Sequence, residues 1–563
     1  MRYLVLLSAT LILCAGLAWG EDTSASSAPN TPLVSATFVY VLGMDMYTPS
    51  SMAMPAKGDT FTDPNFHTQC RRISAPADGY RAAGIQNEYA KSDPLNCDGT
   101  RLILRGNDGT FYLYNAHTCA VIESLTFFRD CGWEDCEPRW DDSNPSLFYY
   151  NCEMQLKSYN ITTHAITTIR DFSADFPAGA VIGTEVEGDA SLDRRYWAFL
   201  VQDADYNRIA VFVYDLINDS IVGQKPTSEL PEDINWVSMS MSGQYCIVGY
   251  GWFPLYIEVF SRDFTSFDIC LPEGSNAHGD FAIGWDGREK YVYQNNRTDY
   301  LSMADLETAV ETQLLFFPFG INADIGVHVS GNCSSTPGWV LVSTYGSFNA
   351  PPGDAHSWMD CQLYMVQLCS SPIIWRIAHT QCYEGLNPGD PGSYLWEAFA
   401  TITKDGSKIY WGSNWRDYTE DYCDAYEVIL PANWEDELVG IEDGYSCALP
   451  HDLEITACPN PFNSSCEISL VGAYCIRPYD MRIEIFDLNG RCVFLNEELI
   501  VKSEELQPPA SQAGGGIGTL FTLNSSLFTS VWTPDKSFSS GVYLVRATMG
   551  DDFSTIKRIV FLK

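Results

Sequence analysis

The chain has 563 residues, and 33 basic against 72 acidic side chains give 33 − 72 = −39 at neutral pH. Hydrophobic residues at 46% and aromatics at 13% supply apolar matter for a large core, which excludes a disordered chain. Charge of that sign excludes a nucleic-acid binder working by phosphate neutralisation and disfavours docking on anionic lipid.

Residues 1–20 read as a secretory signal. Arg2 is a minimal positive start, residues 3–17 are almost wholly apolar, and Ala18-Trp19-Gly20 places small residues at the cleavage positions before Glu21. No later stretch holds the roughly 18 uninterrupted apolar residues of a spanning helix, so no transmembrane helix is expected in the mature chain. Of 19 cysteines, Cys14 leaves with the signal, and in an exported protein disulfides are the default for the others. The spacings lack the Cys-x-x-Cys pairs of a zinc ribbon.

From residue 80 onward a tight turn followed by a short apolar, β-rich run recurs at intervals of 44 to 67 residues. The turns are Asp98-Gly99, Ser143-Asn144-Pro145, Asp193-Arg194, Ser242-Gly243, Asp286-Gly287, Pro337-Gly338 and Asp405-Gly406. Asp-Gly and its relatives supply the positive φ that a hairpin turn needs. Each run is followed by a second hairpin, such as FYLYNAHTCAVIESL from Phe111 or YLSMADLETAVETQLL from Tyr300. Four short strands per repeat, without helix-length periodicity, predict an all-β protein built as a seven-bladed β-propeller over 80–444. The last unit reads DAYEVILP and then DELVGI as a thin strand pair. Within the N-terminal segment, 21–79, a strand at 34–42 is the candidate to complete a blade and close the ring.

The Asp-Gly turns, the hairpins Tyr114-Asn115 and Tyr214-Asp215, and the segments HVSGN (328–332) and GSNW (412–415) resemble the TolB-like and WD40-like bacterial propellers, including that of oligogalacturonate lyases. The resemblance implies an architecture, not a reaction. In such a fold the innermost strands converge on a channel. Residues upstream of the turns then form a ring: Glu88, Glu137 with Arg139, Glu187 with Asp189, Asn235, His278 with Asp280, His328 and Glu397. Converging carboxylates need a cation, a protonated member or Arg139 between them. One reading is a divalent-cation site, carboxylate and amide oxygens suiting calcium and His278 with His328 suiting manganese or a similar metal. The other is a water-filled polar channel. The lyase resemblance implies a histidine-rich metal site, but Glu397-Ala398-Phe399 puts an aromatic where a further histidine would strengthen it. Trp133, Trp140, Trp252, Trp358 and Trp415 sit in or beside predicted loops, where they either fill space between blades or stack on sugars.

After a linker at 445–452, residues 453–563 form a different small β unit, read as an immunoglobulin-like antiparallel sandwich with Asn489-Gly490 in a hairpin turn. They hold 12 acidic and 9 basic side chains, so the acidity belongs mainly to the propeller. Pro459-Asn460-Pro461-Phe462-Asn463, the hairpin ending Asn489-Gly490-Arg491, Ser540-Gly541-Val542-Tyr543 and the basic ending from Lys557 to Lys563 resemble the FlgD-like C-terminal sorting domain of type IX secretion. That resemblance implies the type IX machinery as a partner and delivery outside the cell or to its outer surface. The function expected is a binding module for polysaccharide, a surface protein or a cation, the alternative being a metal-assisted polysaccharide lyase.

Overall fold

The computed structural model describes residues 38–79, 84–131, 136–231, 234–251, 256–275, 278–317, 326–345, 357–382, 396–417, 423–440, 454–458, 460–471, 481–487, 491–496, 528–534, 538–549 and 553–563. The signal segment, Trp133, Trp252, Pro459 and Gly490 lie outside them. Among the described residues no helix is long and apolar enough to cross a membrane.

The apolar runs after the turns are strands: Arg101–Gly106, Leu147–Cys152, Tyr196–Gln202, Tyr245–Tyr250, Glu289–Asn295, Trp339–Tyr345 and Lys408–Ser413. Gly99, Gly243, Gly287, Gly338 and Gly406 all have positive φ, as the hairpin turns require. Arg194 takes that conformation (φ 56°) without being glycine. Antiparallel pairing gives four sheets of four strands, one of five and one of nine over residues 38–429. The nine-stranded sheet is two units, joined where Asp424 meets Ile85 in a parallel pairing.

These sheets form a β-propeller, as the packing between them shows. Residues alternate faces along a strand, so each sheet packs against one neighbour with its even positions and the other with its odd ones. Ile103, Phe111 and Leu113 pack against Phe148, Tyr150 and Tyr159 of the next sheet. Leu102, Leu104 and Tyr112, on the opposite face, pack against Tyr410 and Ala425 of the last. Tyr149 with Trp197 and Phe199, then Ala198 with Val237 and Val248, then Ile247 with Phe281 and Tyr291 continue the circuit. Ala282 with Val327 and Val340, then Trp339 with Ile409 and Trp411, complete it.

The N-terminal segment belongs to this circuit rather than preceding it. Val41–Leu42 adds a fifth strand beside Ile374–His379. The last unit is completed by Gln69–Arg72, which pairs with Asp424–Ile429, and by Thr60–Thr62 beyond it. The strand that completes the last unit is therefore at 69–72; of 34–42, Val41–Leu42 joins the preceding sheet instead, and residues 34–37 lie outside the described residues. DELVGI also differs from expectation: its described part lies in the helix Trp434–Gly440. Trp434 and Leu438, one turn apart, bury on one face, and Glu435, Asp436 and Glu437 fill the helix's positive first turn. Cys131 and Cys152 form a disulfide between the first and second repeats.

The C-terminal unit has two antiparallel sheets. One joins Glu454–Cys458, Cys466–Val471 and Phe528–Trp532; the other joins Cys492–Asn496, Met481–Phe486, Gly541–Met549 and Phe553–Phe561. Phe462, Ile468, Ile483, Ile485, Trp532, Tyr543, Val545 and Phe561 are buried together in its core.

Candidate functional site

The innermost strands bring polar residues from different repeats into contact. Arg139 lies on Arg139–Trp140, Asp280 on Gly279–Ile283 and His328 on Gly326–Ser330, while Glu88 and Glu187 follow Ile85–Gln86 and Val181–Gly183. Side chains so far apart in sequence touch only because these strands face a common axis.

Two basic side chains hold the cluster together. Arg139 Nη1 lies 2.6 Å from Glu88 Oε2 and Nε lies 3.4 Å from Asp189 Oδ1, while its remaining donors reach the carbonyls of Pro138 and Gly188 at 3.0 and 3.1 Å. Asp189 Oδ1 also accepts from Arg194 Nη1 at 2.5 Å. Lys91 Nζ sits 2.6 Å from Glu187 Oε2 and 4.4 Å from the centre of the Trp236 ring. Lys91 is 4% exposed and Glu187 25%, so the pair reaches the channel surface through its carboxylate.

Tyr89 links the second pair to a histidine. Its hydroxyl donates to Glu187 Oε1 at 2.8 Å, and its oxygen lies 3.4 Å from His278 Nδ1. With its proton directed at Glu187, Tyr89 accepts from Nδ1–H, and this tautomer leaves Nε2 of His278 as an acceptor. Burial and then the neighbouring His328 lower His278 to about 4. Burial alone would raise Glu187, yet Lys91, His278 and Tyr89 hold its carboxyl below the usual value. His328 Nε2 lies 2.5 Å from Glu397 Oε2. Burial pushes the Glu397 carboxyl up and the His328 imidazole down, so the pair shares its proton as neutral acid and neutral base.

The other two carboxyls are enclosed by neutral donors. Glu137 accepts from Asn151 Nδ2, the Thr184 hydroxyl and the backbone N–H groups of Thr184 and Val186 at 2.7 to 3.0 Å. Asp280 Oδ2 accepts from Gly331 N at 2.8 Å. Burial raises both to about 7, against Arg139 for Glu137 and Lys91 for Asp280. A carboxyl whose pKa is raised on folding loses stability as pH climbs from its unfolded value of about 4.3 through its folded one. The urea midpoint of Glu137→Gln should therefore fall less than the wild-type midpoint between pH 5 and pH 8.

Asn235 differs from the others: it is exposed and lies at a β-bulge. The rings of His278 and His328 approach to 4.8 Å. Among the described residues, however, no group of three or more His, Cys, Asp or Glu could hold a metal ion. Nδ1 of His278 faces Tyr89 and Nε2 of His328 faces Glu397, while Lys91 and Arg139 supply the positive charge that the carboxylates need. Sequence reading missed Tyr89, Lys91 and Arg194. The one signal available was the presence of a basic residue within a few positions of the counted acids in a chain this acidic, Lys91 after Glu88 and Arg194 after Asp189. Trp140 and Trp415 are buried, their ring N–H groups donating to the carbonyls of Pro94 and Met52 at 2.8 and 3.1 Å, and Trp358 covers Arg376.

No family model matches the chain, and no curated protein matches it. Solved structures similar to it include a crystal structure of RRP9 WD40 repeats, 10% identical over 69% of this chain and 100% of that one, with a TM-score of 0.38. A crystal structure of the mitotic checkpoint complex is 11% identical over 68% of this chain and 99% of that one, also with a TM-score of 0.38.

Proposed function

We propose that the protein is an exported binding module: a seven-bladed, WD40-like propeller carried outside the cell, or to its outer surface, by a C-terminal immunoglobulin-like sorting domain of the type IX kind. The observation that carries the binding reading is the pairing of the central side chains with one another, Glu88 with Arg139, Glu187 with Lys91 and Glu397 with His328. Such a centre presents a fixed hydrogen-bonding surface. A metal-assisted lyase has no support among the described residues. The seven-fold count is supported by the circuit of packed sheets, the nine-stranded one made of two units, and by Gln69–Arg72, which supplies an outer strand to the last repeat.

The sorting reading is supported by where its motif sits. Asn460 Oδ1 accepts from Val560 N at 2.9 Å, Asn460 Nδ2 donates to Arg558 O at 3.2 Å, and Phe462 exchanges backbone hydrogen bonds with Val560 and Leu562. Tyr543 is buried, its hydroxyl donating to Ser539 O at 2.9 Å, and Lys563 N donates to Ser540 Oγ at 2.7 Å. The first, third and last motifs thus meet around the final strand, where half-buried Lys557 and exposed Pro461 and Asn463 also lie. In a bacterium with type IX machinery, the full chain should be labelled by a membrane-impermeant biotin reagent. The chain lacking 453–563 should stay unlabelled behind the outer membrane. Equal labelling of both would refute the sorting role.

A further inference from the structure

The mouth of the central channel combines exposed acceptors with a closed charge balance. Asn235 is exposed, His278 is half-buried, and the Glu187 and Asp189 side chains are 25% and 26% exposed. Arg139, Lys91 and Arg194 each face one of Glu88, Glu187 and Asp189, so three positive charges meet three negative ones. The carboxyls without a lysine or arginine in direct contact, Glu137, Asp280 and Glu397, are those that burial pushes toward neutrality, Glu397 beside the neutral imidazole of His328.

A second observation points into the same place. Tyr291 is fully buried, and among the described residues its hydroxyl has no hydrogen-bond partner. Glu187 and Asp280 act on that hydroxyl electrostatically, and the ring is packed so closely on Gly279, next to His278, that a Cβ there would come within 2.9 Å of Tyr291 Cζ. A buried hydroxyl without a partner is destabilising, and a ligand hydroxyl placed at the channel centre would satisfy it.

Resting on the reading of the propeller as a binding module, we infer that the channel mouth formed by Glu187, Asp189, Asn235 and His278, with the buried Tyr291 hydroxyl behind it, binds a neutral, hydroxyl-rich ligand, a chain of uncharged sugars. Ligand hydroxyls donate to the open lone pairs of the two carboxylates and to Nε2 of His278, and accept from the Asn235 amide and the Tyr291 hydroxyl. A cation or an anion here would add an uncompensated charge to a balanced, largely buried cluster. An anionic glycan is also opposed by the net charge of −39.

The test is isothermal titration of the full chain with maltohexaose, cellohexaose, laminarihexaose, xylohexaose and mannohexaose, and with hexagalacturonate and spermine as charged controls. At least one neutral hexasaccharide should bind, and Asn235→Ala and Tyr291→Phe should each weaken that binding about tenfold, the loss of one hydrogen bond. Asn235 is exposed and Tyr291→Phe removes a single oxygen, so both variants keep the fold, as an unchanged thermal midpoint for Asn235→Ala and an unchanged or raised one for Tyr291→Phe would confirm. Binding of hexagalacturonate or spermine alone, weakened by Asn235→Ala, would overturn the neutral class while leaving the propeller a binding module. A neutral sugar bound with no sensitivity to either variant would overturn the location. No binding by any probe would overturn the inference altogether, with the delivery reading still decided by its own labelling assay.

Discussion

Replacing Arg139 with Met is expected to destabilise the folded chain by about 3–5 kcal/mol, the cost of removing one partner from a buried ion pair. Arg139 is 3% exposed and faces Glu88, itself 7% exposed, and Asp189. Burial alone would lower the pKa of the guanidinium, but Glu88, Asp189 and Glu137 together lift it well above its ordinary value, so the charge stays on. Met fills a similar volume without that charge and leaves Glu88 with Ser92 Oγ, 2.8 Å away, as its hydrogen-bond donor. The cost should appear as a lower urea midpoint by far-UV circular dichroism. The double variant Arg139→Met/Glu88→Gln should recover most of it, because the uncompensated carboxylate is then gone. A double variant as unstable as the single one would assign the loss to packing and to the carbonyls of Pro138 and Gly188.

How far the sequence foretold this centre depends on which physical signal each residue carries. The turns were legible because positive φ selects glycine, and the strands after them because their alternating apolar positions face two neighbouring sheets. The inner ring followed from those turns by counting back along each strand, which brings Arg139, Glu187 and His328 to one axis. Lys91 was not legible that way. It lies off the strand Ile85–Gln86, in an irregular stretch whose geometry no local pattern announces. The helix Trp434–Gly440 was misread because a heptapeptide with two buried apolar residues fits either period until Trp434 and Leu438 are seen on one face. The closing strand Gln69–Arg72 was hidden for a different reason: apart from Cys70 its residues are polar, and the strand it joins in the last repeat lies more than 350 residues away in the chain.

That closing strand is where the second large effect is expected. Arg72 Nη2 lies 2.5 Å from Asp424 Oδ2, and its other donors reach the carbonyls of Pro55 and Ser74 at 2.7 and 3.0 Å. Beside it Arg71 pairs with Glu427, and both acids on Asp424–Ile429 are fully buried. The strand that closes the circuit is thus matched to its place by charge as well as by backbone pairing, two basic residues against two buried acids. Arg72→Met should cost about 3–5 kcal/mol at pH 8 and speed amide exchange across Gln69–Arg72. The deficit should shrink toward pH 5. Burial already raises Asp424 to about 6, with Arg72 holding it down, so without Arg72 the carboxyl rises further and is neutral at pH 5, where it needs no partner. Asp424→Asn in the same chain should remove the pH dependence of the deficit and restore slow exchange. Urea midpoints that differ from wild type by the same amount at pH 5 and pH 8 would show that Cys70 burial and the strand's hydrogen bonds close the ring, with the charges only accompanying them.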